Sequence, residues 1–373
     1  MKQDALTLLE KFSNFPSLIN DASYMHGSLF SGLENGQIQF RPSSSSESKL
    51  IKAHKSPISK LQLSPNLCLL SSCGLDGCLR LWNVSGGQSP SELFSKSLNS
   101  PLRALAFSPD SASLLAGASD GSARVFFASS GREKAVLRGH TGWVTAAGLA
   151  ADRALTGGAD RQLLLWDLEK KVPISAVKDH CAALRAALVC GETLVSAASD
   201  GYVKVYDSRL QRAVLSLRSH AGAVISADFS GDSLVTSGSD FKIALVDLRG
   251  GRVRGSLDLG TSNAVSVKFL PGENKLLAVL DDRTVRLYEH KAAFDFGGAS
   301  TSEGRAYTAQ VENIEGNEAE NEEEILHRTL DGVMSQIGVV TRRVKEISER
   351  IAENEKQVWK LTQFVKQDME CND

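Results

Sequence analysis

Residues 140–167 read HTGWVTAAGLAADRALTGGADRQLLLWD. Two short apolar runs, at 144–149 and 154–157, lead into a turn at Ala159-Asp160-Arg161. A third run, at 163–166, follows the turn and ends in an aromatic residue, and a fourth is expected around 173–177. Short runs separated by turn residues read as strands. The stretch therefore specifies a unit of four strands, which is the make-up of one propeller blade.

The unit recurs along the chain. A small residue, an Asp, often a Gly and then an alternating strand ending in an aromatic appear as Leu75-Asp76-Gly77 leading to Trp82 and Ser119-Asp120-Gly121 leading to Phe126. The pattern returns as Ser199-Asp200-Gly201 leading to Tyr206, Ser239-Asp240-Phe241 leading to Val246, and Asp281-Asp282-Arg283 leading to Tyr288. A degenerate first copy is Glu34-Asn35-Gly36 leading to Phe40. The anchors at 35, 76, 120, 160, 200, 240 and 282 are 40 to 44 residues apart. A fixed period of that size marks a repeat architecture, and seven anchors predict an all-β, seven-bladed propeller over residues 1–290.

These motifs resemble the WD-repeat family. The dipeptide ending in His is present as Ala53-His54, Gly139-His140, Asp179-His180 and Ser219-His220, and the Trp-Asp ending as Trp82-Asn83, Trp166-Asp167 and Tyr206-Asp207. The resemblance implies a buried tetrad in which His, Ser or Thr, Asp and Trp share one hydrogen-bond network. It maps onto His54, Ser72, Asp76 and Trp82, and onto His140, Thr156, Asp160 and Trp166. His180, Ser196, Asp200 and Tyr206 form a near copy. In the sixth unit His220, Thr236 and Asp240 remain, but Val246 replaces the aromatic. A buried carboxylate must be hydrogen-bonded, and imidazole, hydroxyl and indole groups can build such a network, so these residues read as structural and not catalytic. The third and seventh units lack both His and hydroxyl (Ala116, Ala278), and their turns are expected to be less rigid.

Residues 6–10 look like an outer strand without a blade of its own. Pairing as the fourth strand of the last blade would latch the ring and protect its strand edges. Residues 292–296 are the alternative source of that strand.

Composition changes after His290. Residues 291–373 carry 10 Lys+Arg against 17 Asp+Glu, whereas residues 1–290 carry 32 against 27. The segment 291–323, with Glu312, Glu315, Glu318, Glu320 and Glu322-Glu323-Glu324 at its end, reads as a flexible acidic linker. From 324 to 369 the period switches. Leu326, Leu330, Val333, Ile337, Val340, Val344, Ile347, Ile351, Asn354, Val358, Leu361 and Val365 are spaced alternately by four and three, a heptad seam. The expectation is a coiled coil, with homo-oligomerisation as a dimer or trimer. Thr329-Leu330-Asp331, Gln336-Ile337, Val339-Val340-Thr341, Val344, Ile347 and Arg350 resemble the C-terminal coiled coil of the proteome-of-centriole WD-repeat proteins, which share the plan of propeller, linker and helix.

Other chemistry is weakly signalled. The six cysteines contain no C-x-x-C pair and read as reduced thiols. No apolar run approaches the roughly 18 residues needed to span a bilayer, and no signal peptide is recognisable. Gly117-Ala118-Ser119-Asp120-Gly121 matches the nucleophile-elbow string but lies between two strands, without the helix that the motif needs. There is no phosphate-binding loop, zinc-protease motif or lysine-rich block. The expectations are therefore no enzymatic activity, no cofactor or metal, no nucleic acid and no membrane contact. The mildly basic body could face an acidic partner.

The centriolar resemblance implies a cytoplasmic, cytoskeletal scaffold of centrioles or basal bodies. Its propeller would bind tubulin or other centriolar or axonemal proteins. Lys55, Trp143, Arg161 and Phe241 are the candidate contacts, on the face that carries the His and Asp turns. The alternatives are an adaptor in a ubiquitin ligase or RNA-processing assembly, and a coronin-like actin binder.

Overall fold

The computed structural model of the chain describes residues 6–43, 47–85, 89–208 and 212–290. The linker expected at 291–323, the alternative closing segment 292–296 and the coiled coil expected at 324–369 lie outside the described residues. The described residues form 28 strands in seven four-stranded antiparallel sheets. Blade 4 is β14 (Val144–Leu149), β15 (Arg153–Gly158), β16 (Leu163–Asp167) and β17 (Val172–Val177), paired in that order. The other inner strands are β2 (Ile19–Met25), β6 (Ile58–Leu63), β10 (Leu102–Phe107), β18 (Leu184–Cys190), β22 (Val224–Ser230) and β26 (Ala264–Phe269).

The core lies between blades and not within them. Leu115, Val125 and Leu137 of blade 3 pack on Val144, Leu149 and Trp166 of blade 4, all of them buried. At about 25 cal/mol per Å² of apolar surface, each such face is stable only when a neighbour covers it. Small residues set the blade-to-blade distance. A Cβ on Gly117 would come within 2.6 Å of Val144 Cγ1, and one on Gly157 within 2.9 Å of the Leu184 side chain.

Every inner strand carries a β-bulge at its second residue: Asn20, Ser59, Arg103, Thr145, Arg185, Ile225 and Val265. A bulge bends its strand and re-aims a side chain. Two bulge residues reach the next blade, Asn20 Nδ2 donating to Ile58 O at 2.9 Å and Thr145 Oγ1 to Leu184 O at 2.6 Å.

The first strand closes the ring. β1 (Leu6–Phe12) pairs antiparallel with β28 (Val285–His290), from Leu6 opposite His290 to Phe12 opposite Val285. It therefore becomes the outermost strand of the last blade, ahead of β28, β27 (Lys275–Leu280) and β26. Its end residues Leu6 and Phe12 are buried.

A polar clasp ties the inner strands at the same seam. Lys268 Nζ in blade 7 lies 2.7 Å from Asp21 Oδ1 in blade 1, and also donates to Ala22 O and to Leu61 O of blade 2. Asp21 further accepts Ser266 Oγ and Leu61 N, each at 2.8 Å. Burial opposes ionisation of Asp21, but the Lys268 and Lys60 charges and the Leu61 N–H outweigh it and hold its carboxyl below the usual value. Asp228 accepts Phe269 N at 2.8 Å one blade earlier. Burial dominates there and pushes its carboxyl up to about 6.

Deleting residues 1–12 removes the closing strand and the burial of Leu6 and Phe12. Two such side chains contribute roughly 3–6 kcal/mol. The truncated protein should melt at least several degrees lower by calorimetry; an unchanged melting curve would show that the strand does not latch the ring.

Candidate functional site

The turns joining second to third strands and the loops joining one blade to the next lie on one face of the ring. That placement follows from the strand order within each blade. The structure brings the mapped tetrads together there. In blade 4, Trp166 Nε1 donates to Thr156 Oγ1 at 2.7 Å, Thr156 Oγ1 lies 2.8 Å from His140 Nε2, and His140 Nδ1 lies 3.0 Å from Asp160 Oδ2. Blade 2 repeats the chain through Trp82, Ser72, His54 and Asp76 at 3.0, 2.9 and 3.0 Å.

The indole is only a donor, so the hydroxyl accepts from it, and a hydroxyl proton given to Nε2 leaves Nδ1–H to donate to the carboxylate. Each carboxylate also accepts the backbone N–H after the histidine, from Lys55 to Asp76 at 3.0 Å and from Thr141 to Asp160 at 2.9 Å. The network thereby pins the interblade loop to the turn.

The remaining blades depart by degrees. In blade 5 His180 joins Ser196 and Asp200, both at 2.8 Å, but the Tyr206 hydroxyl is 3.5 Å from Ser196 Oγ, at the limit of a hydrogen bond. Burial pushes that phenol up to about 12. In blade 6 His220 joins Thr236 and Asp240, while buried Val246 offers no donor.

In blades 3 and 7, which lack the histidine, other side chains bond the turns. In blade 3, Ser119 accepts Arg103 Nε at 2.8 Å, and Asp120 accepts both N and Oγ of Ser122. Ser119, the serine of the nucleophile-elbow string, is thus a turn residue between two strands. Blade 7 divides the single carboxylate's work between two. Asp281 accepts Asn263 N from the preceding loop, and Asp282 accepts Thr284 N and Oγ1 within the turn. In blade 1, Ser31 occupies the hydroxyl position, and its buried Oγ has no partner among the described residues.

The four candidate contact residues share this face but not one patch. Lys55 enters blade 2, Trp143 and Arg161 belong to blade 4, and Phe241 to blade 6. Trp143 is 50% exposed and Phe241 38%. Arg161, Phe241 and Arg283 take the left-handed backbone conformation (φ 67°, 61° and 61°) at the turn position held by Gly36, Gly77, Gly121 and Gly201 elsewhere. A side chain there is strained, yet it places a guanidinium or a ring on the surface.

Sequence reading missed Arg103, whose Cζ sits 4.2 Å from the centroid of the Trp143 ring. It also missed Arg185, whose Nε donates to Ser199 Oγ at 3.0 Å in blade 5. Both hold the bulge position of their strands, and that recurrence was the available signal. Among the described residues no cluster of three or more His, Cys, Asp and Glu could hold a metal, and no helix is long and apolar enough to cross a membrane.

The substitution T156V leaves Trp166 Nε1 and His140 Nε2 buried without a partner. At about 1–3 kcal/mol per orphaned group, it should cost roughly 2–6 kcal/mol in urea unfolding; a loss near zero would mean that the tetrad does not stabilise the blade.

The pH dependence has a definite sign. Burial outweighs the attraction of Asp76 and Asp200 and depresses His54 and His180 below the ordinary 6.5. Their contribution is complete above 6.5 and is lost as the pH falls through the depressed folded values. For Asp76, Asp160, Asp200 and Asp240, burial would raise the pKa, but hydrogen bonds and the imidazoles hold each below 3.8, so a second loss follows at lower pH. Acidification should remove the histidine contribution first and the aspartate contribution at lower pH, while Asp228, raised to about 6, acts in the opposite sense. The drop in melting temperature from pH 7 to 5 should be smaller in a H54Q/H180Q variant than in the unsubstituted protein, and an equal drop would sink the assignment to these histidines.

No curated protein matches the chain. Residues 45–83, 92–126 and 131–167 match the family of the WD domain, G-beta repeat. The described residues close into a seven-bladed propeller, in which three segments match WD40 repeats.

Proposed function

We propose that this protein is a scaffold of centrioles or basal bodies. Its propeller binds tubulin or another centriolar or axonemal protein, and its heptad segment brings several propellers together. WD40 propellers are as a rule interaction scaffolds and not enzymes, and the tetrad residues in this one are engaged in holding turns and loops. Function therefore belongs to the exposed face and to whatever the propeller is joined to.

The heptad seam carries the finer reading. Leu330, Val333, Ile337, Val340, Val344, Ile347, Ile351, Val358 and Leu361 keep a strict seven-residue period, and such a period supports supercoiling with a partner helix. Part of the seam also resembles the centriolar coiled coil. Joining several weakly binding propellers raises avidity without any new contact.

The full-length protein should co-sediment with microtubules or mark basal bodies when tagged at its own locus, and deletion of 324–373 should abolish both. Sedimentation of the full chain should give a dimer or trimer, and of the truncated chain a monomer. A diffuse signal, or a full-length monomer at high micromolar concentration, would contradict the reading. Pelleting with F-actin instead of microtubules would favour the coronin-like alternative.

A further inference from the structure

We infer that the turn-bearing face holds a docking strip for an acidic peptide segment of a partner protein, running from Arg103 across Trp143 to Arg185. The inference rests on the reading that the propeller binds proteins, and on no assumption about which ones.

The strip is built by the inner-strand bulges. Arg103 and Arg185 occupy that position in blades 3 and 5, and Thr145 occupies it between them in blade 4. Each arginine is held through Nε alone, by Ser119 and by Ser199. Arg103 lies in addition over the half-exposed Trp143 ring. Thr145 bonds Leu184 O, the carbonyl just before Arg185, so the strip is continuous across three blades. Arg161, exposed at the turn of blade 4, adds a third guanidinium.

None of the three arginines forms an ion pair with a described carboxylate. The carboxylates of the adjacent turns are already engaged. Asp160 is committed to His140 and the backbone N–H groups of Thr141 and Gln162, and Asp200 to His180 and the N–H groups of Cys181 and Tyr202. What remains is a set of guanidinium forks whose terminal nitrogens carry no hydrogen bond among the described residues. A fork immobilised at Nε and by an aromatic ring is pre-organised for a planar carboxylate. An exposed indole beside the Arg103 fork is a natural anchor for apolar parts of the same ligand.

The chemistry favours a peptide over a nucleic acid. Strong phosphate-backbone binding draws on many cations, and only three guanidiniums are available here, beside the fixed negative charges of Asp160 and Asp200. Discrete carboxylates spaced along a chain can meet the arginines and avoid those charges.

The test uses the full chain and two fluorescein-labelled peptides, oligoglutamate and oligoglutamine of equal length, followed by anisotropy. The glutamate peptide should bind and the glutamine peptide should not, with affinity falling as salt rises. R103Q and R185Q should each weaken binding about tenfold while remaining folded by circular dichroism at the assay temperature, whatever melting temperature the lost Ser119 and Ser199 bonds leave them. R132Q, on the opposite face, should bind as the unsubstituted protein does. Equal binding of both peptides, no binding, or an equal loss in R132Q overturns the strip. Oligouridylate that binds as tightly, with the same arginine dependence, reassigns it to nucleic acid and also overturns the proposal. If the peptide fails while the chain still co-sediments with microtubules, the strip falls and the scaffold reading stands.

Discussion

A ring of blades is stable only if its last blade meets its first. In this protein two different interactions meet at that seam. On the outside, β1 adds to β28 and seats Leu6 and Phe12 in the core. On the inside, Lys268 and Asp21 join blades 7, 1 and 2 through charge and backbone hydrogen bonds. Interblade cores such as the packing of blade 3 against Trp166 depend on this closure, because an open ring would uncover apolar faces at both of its ends. The buried ion pair does not by itself prove a gain in stability. Its value lies in geometry: one ammonium, satisfied only when three strands converge, specifies how the ring shuts.

The tetrads solve a different problem. The loop between blades has no strand partner, so its backbone needs other bonds. A histidine, bonded to a hydroxyl that in blades 2 and 4 accepts from an indole, holds the carboxylate against that loop. Blades 3, 6 and 7 show that the task can be met in other ways. Val246 drops the donor, Asp281 and Asp282 share one role, and Arg103 with Ser119 holds a turn that has no histidine. The bulge-position arginine does not depend on the loss of the histidine: blade 3, without one, has Arg103 bonded to Ser119, and blade 5, with His180 in place, has Arg185 bonded to Ser199.

Much of the fold was legible because its determinants are local. Period-two strands, an Asp turn every 40 to 44 residues and His-to-Asp spacings of 20 to 22 can be read without coordinates, since each depends on neighbours within one unit. The tetrad residues could be named for the same reason. The contact residues were less legible. Lys55, Trp143, Arg161 and Phe241 could be assigned to their repeat units, but the sequence has no measure of the angle between blades, so it could not tell that Arg103 of one blade covers the indole of the next.

The sequence by itself determined the number of blades, the strand order within each and the four histidine networks, because a buried polar group must find its partner at a fixed offset along the chain. Tertiary structure alone decided what depends on the ring as a whole. It brought Lys268 to Asp21 across 247 positions, divided the work of one carboxylate between Asp281 and Asp282, and aimed Arg103 and Arg185 onto one exposed face. Those outcomes follow from the twist of each bulged strand and from the closure of seven blades, and neither can be read from any single repeat.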